Sequence, residues 1–142
     1  MAVVGPGDAS AREESVAEEV GGLLARRGAV VVCGGLGGVM EAACRGARDE
    51  GGTAVGILPG LDRDAANPYV SVAIATGLGE ARNALVVRAV DALIAIGGAY
   101  GTLSEIALAL KGGKRAIGVG TWDIEGIELA DGAEAAVEAA LA

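Results

Sequence analysis

Short runs of apolar residues alternate along the chain with longer segments in which apolar residues recur at helical spacing. The apolar runs predict strands at residues 2–4, 29–33, 53–58, 70–75, 92–96 and 116–119. After the second of these strands, segments with helical spacing predict helices at residues 39–50, 80–90, 102–111 and 131–141. Because the strands are apolar throughout, both of their faces should be buried. The pattern predicts an α/β fold, a Rossmann-like, doubly wound and mostly parallel β-sheet flanked by helices.

Local signals also place a helix between the first two strands. Ser10 and Glu13 have the spacing of a capping box, in which each side chain binds an N–H group at a helix N-terminus. This helix should end at Arg26-Arg27-Gly28, where cations and a glycine suit a C-terminus. No linker, repeat or low-complexity tract divides the chain, so residues 1–142 are expected to form a single domain.

Two glycine-rich turns each follow a strand and precede a helix. The first is Gly34-Gly35-Leu36-Gly37-Gly38, and the second is Gly97-Gly98-Ala99-Tyr100-Gly101-Thr102. Free N–H groups at a helix N-terminus bind phosphate through hydrogen bonds and the helix dipole. In a doubly wound sheet both turns should border the crevice near the topological switch point. The turns predict a phosphorylated ligand, although tight strand-to-helix connections need glycines in any case.

Charge argues against a polyanionic partner. The chain has 11 Lys and Arg residues against 19 Asp and Glu residues, which gives a net charge of −8. No basic block stands out, so nucleic acid is not an expected partner. A small anionic ligand is compatible with this net charge, because N–H groups and one arginine act locally while distant charges are screened.

Metal and membrane signals are missing from the sequence. The chain has no histidine, and its two cysteines, Cys33 and Cys44, do not have zinc-site spacing. We expect both cysteines to be reduced, partly buried fillers in a cytoplasmic protein. The sequence has neither a leader pattern nor a run of about 20 apolar residues that would span a membrane, so we expect a soluble protein.

Two common nucleotide motifs are also missing. The first strand leads to Gly5-Pro6-Gly7-Asp8 rather than to Gly-x-Gly-x-x-Gly, and position 54, where an acidic ribose ligand would be expected, is alanine. Neither glycine turn continues into the Lys-Ser or Lys-Thr of a Walker A loop. These differences disfavour NAD as the ligand and give no support to ATP hydrolysis.

The second turn and its neighbours resemble a known family. Arg82, Thr102 and Glu105 have the spacing of the Arg-Lys…Pro-Gly-Gly-x-Gly-Thr-x-x-Glu signature of the Lonely Guy phosphoribohydrolases, which were long labelled lysine decarboxylases. Asn83, Gly97 and Ala99 depart from that signature. The stretches 33–42, 81–83 and 101–105 are more similar to a smaller branch of the superfamily, which includes molybdenum cofactor carrier proteins. The resemblance covers about residues 1–120 and implies a nucleotide-binding domain that assembles as a homodimer or homotetramer.

The resemblance also implies roles for individual residues. Arg82 would hold phosphate or position a substrate, and Glu105 would act on an N-glycosidic bond. Both residues have simpler explanations, because Arg82 could be an exposed helix charge and Thr102-x-x-Glu105 could be a capping box. Tyr100 could stack on a base or be a partly exposed ring. The predicted nucleotide- and phosphate-binding residues are Gly34, Gly35, Gly37, Gly38, Met40, Gly98, Tyr100, Gly101 and Thr102.

Two functions follow from these interpretations. In the first, the protein binds a phosphorylated nucleotide or pterin nucleotide as a carrier or sensor, with the molybdenum cofactor as one candidate cargo and no required cofactor. In the second, it hydrolyses a nucleoside 5′-monophosphate to free base and ribose 5-phosphate. Only Glu105 is placed by a motif, whereas glycosidases usually need two carboxylates, so the sequence favours binding.

Overall fold

The computed structural model describes all 142 residues and contains seven strands and five helices. The strands are β1 (Ala2–Val4), β2 (Val31–Cys33), β3 (Ala54–Leu58), β4 (Val72–Ala75), β5 (Ala92–Ile96), β6 (Arg115–Val119) and β7 (Glu128–Leu129). The helices are α1 (Ala11–Arg26), α2 (Val39–Asp49), α3 (Arg82–Arg88), α4 (Tyr100–Lys111) and α5 (Ala133–Leu141). Short 3₁₀ turns lie at Arg63–Ala65 and Gly79–Ala81. No helix combines the length and the apolar character needed to cross a membrane.

The strands form one parallel sheet in the order β4-β3-β2-β1-β5-β6-β7. The chain first moves outward from β1 to β4 and then returns to place β5 on the other side of β1. The switch point therefore lies between β1 and β5. The Rossmann-like α/β prediction is confirmed, and the sheet is parallel throughout rather than mostly parallel.

Helices cover both faces of the sheet, and alternate residues of each central strand point to opposite cores. Val3 and Ile94 belong to the larger core beneath α1, α2 and α5, whereas Val4 and Leu93 belong to the smaller core beneath α3 and α4. The central strand β5 is buried along its whole length. Continuous apolar runs are what a strand buried on both faces requires.

Several element boundaries differ from the sequence predictions. The Ser10–Glu13 capping box is present. The helix predicted at 80–90 is a 3₁₀ turn followed by the seven-residue α3. Helix α4 begins at Tyr100 rather than at Thr102. Strand β7 was not predicted, because its two residues, Glu128 and Leu129, are exposed and form no apolar run.

Candidate functional site

The loops that follow β2, β1 and β5 meet at the carboxyl edge of the sheet. The N–H of Val39 donates a hydrogen bond of 3.1 Å to the carbonyl oxygen of Pro6, which joins the first glycine loop (residues 34–38) to the β1 loop. A Cβ on Gly97 would lie 3.2 Å from Cδ of Pro6, so the second glycine loop (residues 97–102) packs on the same proline. The sequence expectation that both turns border the switch point is met by this arrangement.

Tertiary contacts hold the first glycine loop from both sides. Gly35 and Gly38 have φ of +79° and +62°, a region that glycine enters without strain. The Asn67 side chain donates a hydrogen bond of 2.9 Å to the carbonyl oxygen of Leu36, and the Asn67 N–H donates one of 2.9 Å to that of Gly35. The loop is therefore anchored by a residue that the sequence interpretation did not single out.

Two thiols lie beneath the first glycine loop. Cys33 and Cys44 are fully buried, and their sulfur atoms are 3.4 Å apart without a disulfide bond. Their interaction, together with burial, raises the pKa of the Cys33 thiol. The expectation of partly buried cysteines was wrong in degree, because α2 packs Cys44 directly over the end of β2.

Unpaired polar groups gather at the second glycine loop. Ala99 is the residue before α4 and supplies no side chain that could cap the helix. The N–H groups of residues 98–102 donate no hydrogen bond within the protein. Thr102 is only 2% exposed, and its Oγ1 has no hydrogen-bond partner. A buried hydroxyl without a partner is costly, so this helix N-terminus is suited to an external acceptor.

Arg82 crosses from α3 to the first glycine loop. It is only 9% exposed, and its Nη2 donates a hydrogen bond of 3.3 Å to the carbonyl oxygen of Gly34. Nη1 donates to Oδ1 of the adjacent Asn83, whereas Nε has no partner. The alternative of an exposed helix charge was therefore wrong. A buried guanidinium that is not paired with a carboxylate is suited to bind an anion.

Glu105 lies in α4, one turn after Thr102. It is 6% exposed and forms neither a hydrogen bond nor an ion pair. Burial raises the pKa of its carboxyl from 4.5 to about 7, and the positive charge of Arg82 opposes that rise. The capping-box alternative was wrong, because α4 starts at Tyr100 and Thr102 is already inside the first turn.

Hydrogen bonds between side chains connect α3 to the second glycine loop. Asn83 Nδ2 donates a hydrogen bond of 3.3 Å to Oγ of Ser104, and that hydroxyl donates one of 2.6 Å to the carbonyl oxygen of Gly101. These residues, with Tyr100 and Glu80, line a cavity of about 480 Å³. Arg82 and Asn83 are neighbours in sequence, yet one side chain reaches the first glycine loop and the other reaches the second.

The predicted site residues thus fall into two groups. Gly34, Arg82 and Met40 are in contact, since a Cβ on Gly34 would lie 2.5 Å from Arg82 Nη2 and 2.7 Å from Met40 Sδ. The other group lies at the start of α4 and consists of Gly98, Tyr100, Gly101, Thr102 and Glu105. Gly35, Gly37 and Gly38 complete the first glycine loop.

Sequence reasoning missed Trp122, which lies in the loop after β6. Its indole Nε1 donates a hydrogen bond of 3.1 Å to the carbonyl oxygen of Ala99, and its ring stacks on Tyr100 with centroids 5.9 Å apart. The available signal was its position, since a residue that follows a parallel strand lies at the same edge as the other loops.

Comparisons with known proteins agree with this fold. The model of the SLOG cluster4 family matches residues 1–140. An uncharacterised protein of Archaeoglobus fulgidus is 49% identical over 115 residues, which are 81% of this chain and 76% of that protein. The molybdenum cofactor binding protein of Rippkaea orientalis superposes with a TM-score of 0.92 at 36% identity, over 97% of this chain and 92% of that chain. The molybdenum cofactor carrier protein of Chlamydomonas reinhardtii superposes with a TM-score of 0.87 at 33% identity and the same coverage.

Proposed function

This chain belongs to the SLOG cluster4 family, and from that premise we propose that it binds a small phosphorylated ligand between its two glycine loops. The ligand classes are a nucleotide and a pterin nucleotide, and the protein acts as a carrier or sensor. The observation that carries this proposal is the buried guanidinium of Arg82, which touches the first loop and has an Nε without a partner.

A phosphate group fits the polar groups that the protein leaves unpaired. The free N–H groups of residues 98–102 point out of the N-terminus of a 12-residue helix, where the helix dipole favours a negative charge. The Thr102 hydroxyl adds one further donor, and Arg82 supplies a full positive charge. The net charge of −8 does not oppose binding of a small ligand, because distant surface charges are screened.

The molybdenum cofactor is the candidate cargo that similarity supports. Two structures similar over 97% of this chain, at 36% and 33% identity, are those of a molybdenum cofactor binding protein and a molybdenum cofactor carrier protein. That cofactor is a phosphorylated pterin, so it combines an anionic group with a planar ring. The site residues proposed for it are Arg82 and the predicted nucleotide- and phosphate-binding residues Gly34, Gly35, Gly37, Gly38, Met40, Gly98, Tyr100, Gly101 and Thr102.

Hydrolysis of a nucleoside 5′-monophosphate is the second candidate function, and Glu105 favours it. Its buried carboxyl has a pKa of about 7, which lets it give and take a proton near neutral pH. Beside Arg82, it would assist cleavage of the N-glycosidic bond while the arginine positions the phosphate. Ligand binding is common to both candidates, and release of free base distinguishes them.

Further proposals concern the assembly and its surroundings. We propose that residues 1–142 act as one binding domain and associate as a homodimer or homotetramer. Leu85 of α3 and Leu108 of α4 are exposed, as are Val72 and Ile74 of the edge strand β4, and these apolar side chains are suited to a contact between copies. The unbonded buried thiols fit a reducing cytoplasm, and the acidic charge disfavours nucleic acid.

The test compares two arginines of the same short helix. Arg82→Gln removes the buried guanidinium, whereas Arg88→Gln removes an exposed one at the other end of α3. Binding of GMP and AMP is measured by titration calorimetry, and free base is measured by chromatography of the same samples. We expect Arg82→Gln to weaken binding about 30-fold, the scale of a lost charge-assisted hydrogen bond in a desolvated site.

The control and the readouts separate the outcomes. Arg88→Gln should bind each nucleotide within about twofold of the wild type, since an exposed charge contributes little. Binding without free base supports a carrier or sensor, whereas release of base supports the hydrolase. Equal binding by Arg82→Gln and the wild type would show that the phosphate does not lie beside this arginine.

A further inference from the structure

Aromatic side chains are scarce in this protein, and two of them lie together at the candidate site. The chain has one tryptophan, two tyrosines and no phenylalanine. The rings of Tyr100 and Trp122 are stacked, with an interplanar angle of 27° and centroids 5.9 Å apart. The two residues come from different elements, the first turn of α4 and the loop after β6, so tertiary structure brings them together.

The pair is held in place, yet one face of it is open. Tyr100 is 83% exposed, so its ring does not serve the hydrophobic core. Trp122 is half-buried, and its Nε1 is fixed by the carbonyl oxygen of Ala99 at 3.1 Å. The same indole lies over Gly98, since a Cβ there would be 3.5 Å from Nε1. The tryptophan thus ties the exposed tyrosine to the second glycine loop.

The aromatic pair lies beside polar groups that have no hydrogen-bond partner within the protein. Tyr100 is followed after two residues by Thr102, whose buried Oγ1 has no partner, and both residues belong to the first turn of α4. A helix end with its side chains is about 10 Å across, so one nucleotide-sized molecule can reach both. The Tyr100 ring also lines the cavity of about 480 Å³ with Asn83 and Ser104, a volume suited to a base and its sugar.

We propose that the exposed face of Tyr100 stacks on the planar heteroaromatic ring of the ligand and that Trp122 positions Tyr100 for this contact. The proposal rests on the proposed function, because it takes the phosphate to lie at the start of α4. It adds that the protein recognises purine-like or pterin-like rings, which have a flat face, in addition to phosphate. Trp122 is a positioning residue, since it acts through Tyr100 and the loop.

An alternative explanation for the exposed tyrosine is that it forms a contact between two copies of the chain. The surroundings favour a ligand, because the cavity beside Tyr100 presents the Asn83 amide and the Ser104 hydroxyl as well as the exposed Leu108, and the N–H groups of the adjoining helix N-terminus are unpaired. The self-association state of each variant is measured by sedimentation, so that this use would be detected.

The experiment compares GMP, which has a ring, with ribose 5-phosphate, which has none. Dissociation constants are measured for the wild type, Tyr100→Ala, Tyr100→Phe and Trp122→Phe. Tyr100→Ala should weaken GMP binding about tenfold, the effect of losing one base–aromatic stack, and leave ribose 5-phosphate unchanged. Tyr100→Phe keeps the ring and should behave like the wild type. Trp122→Phe keeps a ring but removes the N–H donor, and it should weaken GMP binding about threefold.

Fluorescence provides a second readout, because Trp122 is the only tryptophan. GMP should quench its emission, and ribose 5-phosphate should not. The inference is overturned if Tyr100→Ala binds GMP as the wild type does, if it loses both ligands equally, or if it dissociates an oligomer that the wild type forms. If the wild type binds ribose 5-phosphate but GMP no more tightly, the inference alone fails. If it binds neither, the proposed function fails as well.

Discussion

At the first glycine loop, the protein itself occupies the space beside the glycines. A Cβ on Gly34 would meet Arg82 and Met40, one on Gly35 would meet Leu58 at 2.8 Å, and one on Gly38 would clash with the Pro6 carbonyl oxygen. Gly35 and Gly38 also have positive φ. Internal packing is therefore enough to explain why most residues of this loop are glycines.

At the second glycine loop, two glycines have no such explanation. A Cβ on Gly98 would lie 3.5 Å from the Trp122 indole nitrogen, and one on Gly101 would lie 3.9 Å from Asn83 Nδ2, both at ordinary contact distance. Neither residue has positive φ, and only Gly97 does in this loop, at +71°. Neither internal packing nor backbone conformation therefore requires glycine at 98 and 101, and close approach of a ligand would account for both under the proposed function.

The polar groups of the two loops differ less than their packing does. In the first loop the carbonyl oxygens of Gly34, Gly35 and Leu36 accept hydrogen bonds from Arg82 and Asn67, whereas the N–H groups of residues 34 and 36–38 donate none. The second loop also has free N–H groups, and beside them lie the unpaired Thr102 hydroxyl and the buried carboxyl of Glu105. Under the proposed function, the first loop would help to build the site by holding Arg82, and the ligand would lie against the open side of the second loop.

Gly38→Ala should have the largest effect on stability, because it disturbs the close packing of the first glycine loop. Alanine would be strained at φ +62° and would press on the carbonyl oxygens of Pro6 and Gly7. We expect the free energy of unfolding to fall by about 4 kcal/mol, combining left-handed strain with overpacking against backbone. Urea denaturation followed by circular dichroism measures this loss.

Gly37→Ala is the matched control within the same loop. Gly37 does not have positive φ, and its Cβ would lie 3.6 Å from the Gly7 carbonyl oxygen, an ordinary contact. Its stability should stay within about 0.5 kcal/mol of the wild type. If Gly37→Ala and Gly38→Ala destabilise the protein equally, close packing does not explain the glycines of this loop.

Glu105→Gln tests the buried carboxyl beside the second glycine loop through the pH dependence of stability. The Glu105 pKa is raised from 4.5 to about 7, so between these values the folded state holds a proton that the unfolded state has lost. The free energy of unfolding is therefore not reduced by this carboxyl below pH 4.5. It decreases as the pH rises from 4.5 to about 7, by about 3 kcal/mol in total. Glutamine is neutral throughout and removes that decrease.

Unfolding free energies at several pH values measure this effect. At about pH 8, Glu105→Gln should be about 3 kcal/mol more stable than the wild type, and at about pH 4 the two should be equal. The exposed Glu80→Gln is the control and should follow the wild type. A Glu105→Gln variant with the wild-type pH profile would contradict a desolvated, unpaired carboxyl.

Much of this architecture could be predicted from local patterns. Continuous apolar runs located β1 to β6, and the glycine turns were expected at one edge because carboxyl ends of parallel strands share an edge. Strand β7 escaped prediction because Glu128 and Leu129 make no apolar run and pair with β6 only through the tertiary fold. Its exposed ion pair with Arg115 likewise joins residues 13 positions apart.

The residues of the candidate site were selected from the sequence, whereas their surroundings were not. Motif spacing selected Arg82, Thr102 and Glu105, but not that they would be buried with unpaired atoms. The helix containing Thr102 starts earlier than expected because Ala99 precedes it without a capping side chain, so no polar residue marks the boundary. Trp122 could not be linked to Tyr100, because only the neighbouring positions of β5 and β6 bring their loops together.

Gly101→Ala should have the smallest effect on stability, and it distinguishes the roles of the two loops most directly. Gly101 lies in the first turn of α4, where alanine favours the helix, so stability should rise by about 0.5 kcal/mol. If the second loop contacts a ligand closely, the added methyl group should weaken GMP binding about tenfold through steric exclusion. Denaturation and calorimetry of the same preparation measure both quantities. Gly60→Ala adds a methyl group outside both glycine loops, where a Cβ would meet nothing within 4 Å, and it should leave GMP affinity within about twofold. Unchanged affinity in Gly101→Ala would mean that this glycine serves only the turn, and the contrast between the loops would then rest on Arg82, Thr102 and Glu105 alone.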